Sequence, residues 1–160
     1  MMVRRLSLCL GVAWCCLFAL PVGAKPKNCL TSSELLAEQI VRHGVFLREA
    51  SRRCDDMAPG SRAQWQDFDT RFGPRLARQT AARLRVFKRE FPDDWQHAMA
   101  VLDGRLVTHH RNVPIDQPFC DNIQTLLQED QRGGWNIFAK QAKSVQDEAI
   151  LDYRPCDSQR

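Results

Sequence analysis

Residues 27–54, KNCLTSSELLAEQIVRHGVFLREASRRC, decide how this chain folds, because a cysteine stands near each end of one amphipathic stretch. Thr31 and Glu34 have the spacing of a capping box, in which each end of the pair satisfies a free backbone N–H of the other. Leu36, Ile40, His43, Leu47, Ala50 and Cys54 then fall on one face at the helical period of 3.6 residues. Arg42-His43-Gly44 reads as a helix C-terminus, with cationic residues before a glycine. Val45-Phe46-Leu47 follows at once, however, with neither an N-cap nor a loop residue, so one continuous helix is expected. At 1.5 Å per residue such a helix holds Cys29 and Cys54 about 35 Å apart. A disulfide needs Cα atoms about 4.4–6.8 Å apart. If the helix is continuous, these two cysteines cannot pair.

The compartment follows from the first 24 residues. Arg4 and Arg5 supply a positive start, Leu6 to Leu20 an uncharged apolar core, and Val22-Gly23-Ala24 a small-residue cleavage site. Residues 1–24 are expected to be a secretory signal peptide and residues 25–160 the mature domain, placed in a periplasm or secreted. Four cysteines remain after cleavage: Cys29, Cys54, Cys120 and Cys156. An even number in an exported chain reads as two disulfides. None has the C-x-x-C spacing of a zinc or redox site, and no C-x-x-C-H haem signature occurs.

Outward from the first helix the same period recurs, and no run of alternating β-branched residues bounded by tight turns appears. DDMAPGS (residues 55–61) is a turn, with Ser61 able to cap a second helix carrying Trp65, Phe68, Phe72, Leu76, Leu84, Phe87 and Phe91 inward. Gly73-Pro74 either kinks that helix or starts a new one. After FPDDW (91–95), a third helix turns Trp95, Met99, Leu102, Leu106 and His109 inward. A fourth buries Phe119, Ile123, Leu126 and Leu127 and ends at Arg132-Gly133-Gly134. A fifth buries Trp135, Phe138, Ala142, Val145 and Ala149. The expected fold is all-α: a single-domain bundle of five helices, or six if Gly73-Pro74 is a true turn, stapled by two disulfides.

The short RGG connection makes the last two helices antiparallel neighbours, which brings Cys120 and Cys156 to one end as the natural pair. That pairing strands Cys29 and Cys54. Either the first helix breaks at Gly44, or Cys29 and Cys54 each take a partner from the C-terminal half. The second arrangement is favoured, with the choice of partner left open.

Function is less legible. Arg71, Arg75, Arg78, Arg85 and Arg89 lie in a line on helix two, away from its aromatic face, and only Asp67 joins them as an acid. Such a line about 27 Å long suits an anionic partner, although every amphipathic helix needs a solvated face. The formal charge of +4 falls to +2 without Arg4 and Arg5, too little to indicate nucleic acid. His43, His97, His109 and His110 diverge around their helices, H-E-x-x-H is missing, and no metal or cofactor is expected; only a pairing of Asp103 and His110 completed by His43 is conceivable. No G-x-S-x-G elbow is present. Asp55-Asp56 and Asp93-Asp94 sit where helix ends favour acids, and Glu90 is a lone acid near the apolar side of helix two. Trp65, Trp95 and Trp135 read as core, or alternatively as the lining of an interhelical cavity.

The expectation is therefore an exported, non-enzymatic binding protein of a bacterial periplasm or envelope. Its partner would be a protein or an anionic envelope component, without nucleic acid and without a stable membrane span after signal cleavage. The alternatives are a small-ligand or metal carrier and a secreted helical signalling protein, the latter resting on fold analogy alone.

Overall fold

Residues 28–144 and 154–156 are described by a computed structural model. Helix α1 spans Ser32–Cys54, α2 Ser61–Glu90, α3 Trp95–Asn112 and α4 Gln117–Lys143. A two-residue strand, β1 at Cys29–Leu30, pairs in parallel with β2 at Arg154–Pro155, Cys29 standing opposite Arg154. The signal-peptide reading falls on residues 1–24, and Val145 and Ala149 of the expected fifth helix fall on 145–153. Both lie outside the described residues.

The capping box forms as read: Glu34 N donates to Thr31 Oγ1 at 3.3 Å, and Thr31 N donates to Glu34 Oε2 at 2.9 Å. From there α1 continues through Gly44 without a break. It is the centre of the molecule, packed against α2, α3 and α4. Ile40, His43, Leu47, Ala50 and Cys54 are buried as the period requires. A helix enclosed on three sides has no wholly solvated face, so Glu38, Arg42, Glu49 and Ser51 are buried too. Gly44 marks a close crossing: a Cβ there would meet Trp65 and Leu76 at 3.7 Å and Phe138 at 3.8 Å.

Helix α2 also runs as one element, with Pro74 inside it. The hydrogen bond that Pro74 cannot make would have ended on the Thr70 carbonyl. Both residues are exposed, so water can serve that carbonyl and the helix continues. The start of α2 differs from the expected cap. Gly60, at φ 89°, is the N-cap, Ser61 Oγ donates to the Ala58 carbonyl, and Asp55 Oδ1 accepts from Arg62 N at 3.1 Å.

Helix α3 is rotated from its expected setting. Leu106 is its one buried residue, Trp95, Met99 and Leu102 are half-buried, and His109 is exposed. The inward side follows Asp103, Leu106 and His110 because two polar contacts fix the rotation. Arg83 pairs with Asp103, and Arg53 donates to the carbonyls of His110 (2.8 Å) and Val113 (2.7 Å) at the helix C-terminus. Phe91, expected inside, is also exposed, at the end of α2.

Residues 117–143 are two helical arms that meet at the non-helical Gly134. The fourth helix expected to end at Arg132-Gly133-Gly134 and the fifth expected from Trp135 are thus the two arms of α4, while α2 stays one helix and no sixth is present among the described residues. Gln141 Nε2 reaches the Leu126 carbonyl, fifteen residues earlier, at 3.4 Å. A straight helix would put about 22 Å between those residues. Gly134 has φ 63° and ψ −151°, a setting that a side chain strains to adopt. A Cβ there would also stand 3.2 Å from Phe72, and one on Gly133 would stand 2.0 Å from Ile137.

Cysteine pairing follows from this layout. Cys54 ends α1 and Cys120 lies in the first turn of α4, and they are joined with Cα atoms 5.3 Å apart. Cys29 and Cys156 are joined beside the β1–β2 pair at 5.0 Å. Cys29 and Cys54 do take partners from the C-terminal half, and Cys120–Cys156 does not form, because Cys120 is committed to the end of α1.

No helix among the described residues is long and apolar enough to cross a membrane.

Candidate functional site

The arginine line divides in two. Arg71, Arg75, Arg78 and Arg85 are exposed. The Arg71 guanidinium lies over the Phe72 ring at 4.9 Å and that of Arg75 over the Trp135 ring at 5.7 Å. Such stacking restrains a long side chain without using its five N–H donors. Arg78 and Arg85 have no hydrogen bond or ion pair among the described residues. Together the four guanidiniums follow about 21 Å of helix.

Arg89 belongs elsewhere. Its side chain is 11% exposed and faces the start of α1, where it pairs with Glu34 and Glu90 and donates to the Cys29 carbonyl at 3.2 Å. Burial alone would raise the Glu34 pKa, but hydrogen bonds from Arg89 and Thr31 outweigh it and hold the carboxyl below its ordinary value. Arg89 therefore ties α2 to β1 and α1, and the open face consists of the other four arginines. Glu90 is also engaged, accepting from Arg89 and from Asn28 N at 2.9 Å.

Helix α2 is held in this rotation from inside by Arg83, 3% exposed. Its Nε meets Glu38 at 2.6 Å and its Nη2 meets Asp103 at 2.7 Å, while Glu38 also accepts from Arg42 at 2.7 Å. Burial would lower the Arg83 pKa, but the two carboxylates outweigh it and raise it.

Two surface cavities adjoin the reversal of α4. One of about 310 Å³ lies between α2 and α4, lined by Gln64, Asp67, Gln128, Gln131 and Arg132. Gln131 Nε2 donates to the Gln64 carbonyl at 3.1 Å and so fixes the two helices there. The buried Gln64 Oε1 has no hydrogen-bond partner. The other, of about 660 Å³, follows the folded-back arms of α4 past Glu129, Arg132, Ile137 and Lys140.

The rings of His109 and His110 meet edge to face with centroids 5.2 Å apart, and His43 is engaged elsewhere. His43 Nε2 meets Gln141 Oε1 at 3.1 Å, and its Nδ1 is buried without a partner. Burial lowers its pKa to about 4 against the opposing hydrogen bond that it donates to Gln141. His97 and His109 are exposed, and His110 packs on Phe46. Asp103, the candidate companion of His110, faces Arg83. Among the described residues no three His, Cys, Asp or Glu side chains are grouped to hold a metal ion. Trp65, stacked on Phe68, and Trp135, packed on Phe72 and Phe138, belong to one aromatic cluster of the core, while Trp95 lies under Lys88.

Asp130 escaped the sequence reading. It is fully buried, and neither carboxyl oxygen has a hydrogen-bond partner. Burial, with the nearby Glu129 charge, raises its pKa to about 7. Extending the buried phase of Cys120, Ile123 and Leu127 by three residues reaches it, which was the available signal.

Comparison with models of protein families, with curated proteins and with solved structures yields no match.

Proposed function

We propose that this is an exported, non-enzymatic binding protein of the bacterial periplasm or cell envelope. It engages a protein or an anionic envelope component through Arg71, Arg75, Arg78 and Arg85. The observation that carries this reading is the row of four exposed guanidiniums without a carboxylate partner among the described residues, two of them stacked on aromatic rings. An ordinary solvated face scatters both charge signs, whereas this line carries only Asp67 as an acid. Beneath it Arg83 pairs with Glu38 of α1 and Asp103 of α3, which holds α2 in one rotation.

The test is capture from native envelope extract with the wild type and with the triple variant Arg75→Glu, Arg78→Glu, Arg85→Glu, whose fold is checked by circular dichroism. Loss of the captured component from the folded variant supports the reading. Equal capture removes the arginine face from it.

One observation favours a small-ligand carrier as the second reading. The cavity of about 660 Å³ along α4 is within the range of ligand sites, roughly 300–1,000 Å³. Mass spectrometry of protein purified from its native source would find a ligand bound, or find none.

A further inference from the structure

The smaller cavity adjoins the start of the arginine line on α2. Asp67 lines the cavity and stands one helical turn before Arg71, so both project from the same side of α2. Arg132 borders the cavity from α4. A linear ligand lying along α2 therefore runs from four cations onto a polar recess.

That recess is lined by amides, a carboxylate and a guanidinium, with no apolar side chain. Amides both donate and accept, a carboxylate accepts, and a guanidinium donates. A hydroxylated ring offers the matching donors and acceptors, and Gln64, whose Oε1 has no hydrogen-bond partner, is among the lining residues. A bilayer would find charge here but nothing to insert. The exposed large apolar residues among those described are Met57, Phe91 and Val101, and none stands on this face of α2. Membrane-surface helices normally bury an apolar face beside their cations.

We propose that the ligand is a linear anionic polysaccharide. Its carboxylate, sulfate or phosphate groups pair with Arg71, Arg75, Arg78 and Arg85, and one sugar unit occupies the cavity between Gln64, Asp67, Gln128 and Arg132. This rests on the arginine-face reading above and narrows it. The guanidinium fork suits all three anion types. The recess, rather than the charge, selects a sugar.

The disulfide-bonded protein is titrated calorimetrically with oligogalacturonate, with polyphosphate of matched charge, and with phosphatidylglycerol vesicles. Oligogalacturonate is expected to bind saturably, more weakly as salt rises. Arg75→Glu with Arg78→Glu should weaken oligogalacturonate and polyphosphate alike by at least about tenfold. Gln128→Leu, which replaces a lining amide by an apolar group of similar size, should weaken oligogalacturonate about fivefold and leave polyphosphate unchanged. If polyphosphate or vesicles bind as tightly as the glycan, or if Gln128→Leu is silent, the polysaccharide inference falls and the arginine face stands. If no polyanion binds and the charge reversal does not alter partner capture, both fall.

Discussion

Replacing Asp130 with asparagine should stabilise the fold at pH 8 and leave it nearly unchanged at pH 4. The carboxyl is fully buried without a donor, and its pKa is raised from 3.8 to about 7. Because the folded value is the higher one, Asp130 costs nothing below pH 3.8, where both states are protonated. Between 3.8 and about 7 the unfolded chain ionises while the folded one keeps its proton. Each pH unit in that window removes about 1.36 kcal/mol of stability. Above about pH 7 the loss is complete, on the order of 4 kcal/mol. That is a large share of the roughly 5–15 kcal/mol that holds a domain together. Asparagine cannot ionise, and its buried amide costs about what the protonated acid does, so the variant's advantage should grow from about zero to about 3–4 kcal/mol as pH rises. Urea unfolding followed by far-ultraviolet circular dichroism from pH 4 to 8, with disulfides intact, measures the difference. A constant gap between the proteins, or one that widens toward acid, would refute the reasoning.

His43 should give the opposite slope. With its pKa lowered from 6.5 to about 4, it makes the fold lose stability as pH falls through that window, by up to about 3 kcal/mol. A carbon-detected NMR titration should find its imidazole neutral at pH 5.5, and a charged ring there would contradict this. Gly44→Ala should be neutral or stabilising by up to about 1 kcal/mol, since the new methyl meets ordinary contacts and alanine favours the helix. Gly134→Ala should cost about 1–3 kcal/mol, from the positive φ and the approach to Phe72; thermal melts of the two variants should move in opposite directions or differ plainly in size. Removing the Cys54–Cys120 bridge as a double serine variant opens a link of 66 residues, a loss of about 4 kcal/mol on loop entropy. Peptide mapping of the non-reduced wild type should recover Cys54 with Cys120 and Cys29 with Cys156.

The sequence was most legible where one local rule acted alone. Thr31 and Glu34 needed only each other, and the period from Ile40 to Cys54 needed only a helix. The continuity of α1 then excluded Cys29–Cys54 and drove both cysteines to C-terminal partners. Legibility failed where partners are distant in the chain. Arg89 has the same helical phase as Arg71, but Glu34 lies 55 residues away and turns it inward. His109 and His110 both suit a partly apolar helix, and only the grip of Arg83 and Arg53 on α3 decides which faces α1. Asp130 continues a core stripe that a carboxylate normally avoids, so its type concealed its place.

The buried charges of α1 and the exposed charges of α2 are two sides of one constraint. A central helix with neighbours on three sides must bury some of its ionisable residues, and each needs a partner to remain there. Glu38 obtains Arg83 from α2. Once Arg83 points inward, Arg78 and Arg85 lie about 140–160° around the same helix and are forced outward. Arg71 and Arg75 stand nearer the edge, where Phe72 and Trp135 receive their guanidiniums. The ion pair with Glu38 contributes little net stability compared with an apolar pair of the same volume. What it fixes is rotation, because Glu38 and Asp103 meet Arg83 in one setting of α2 and lose it in any other. The presentation of the arginine face is thus determined in the interior, by residues that no ligand on that face would touch.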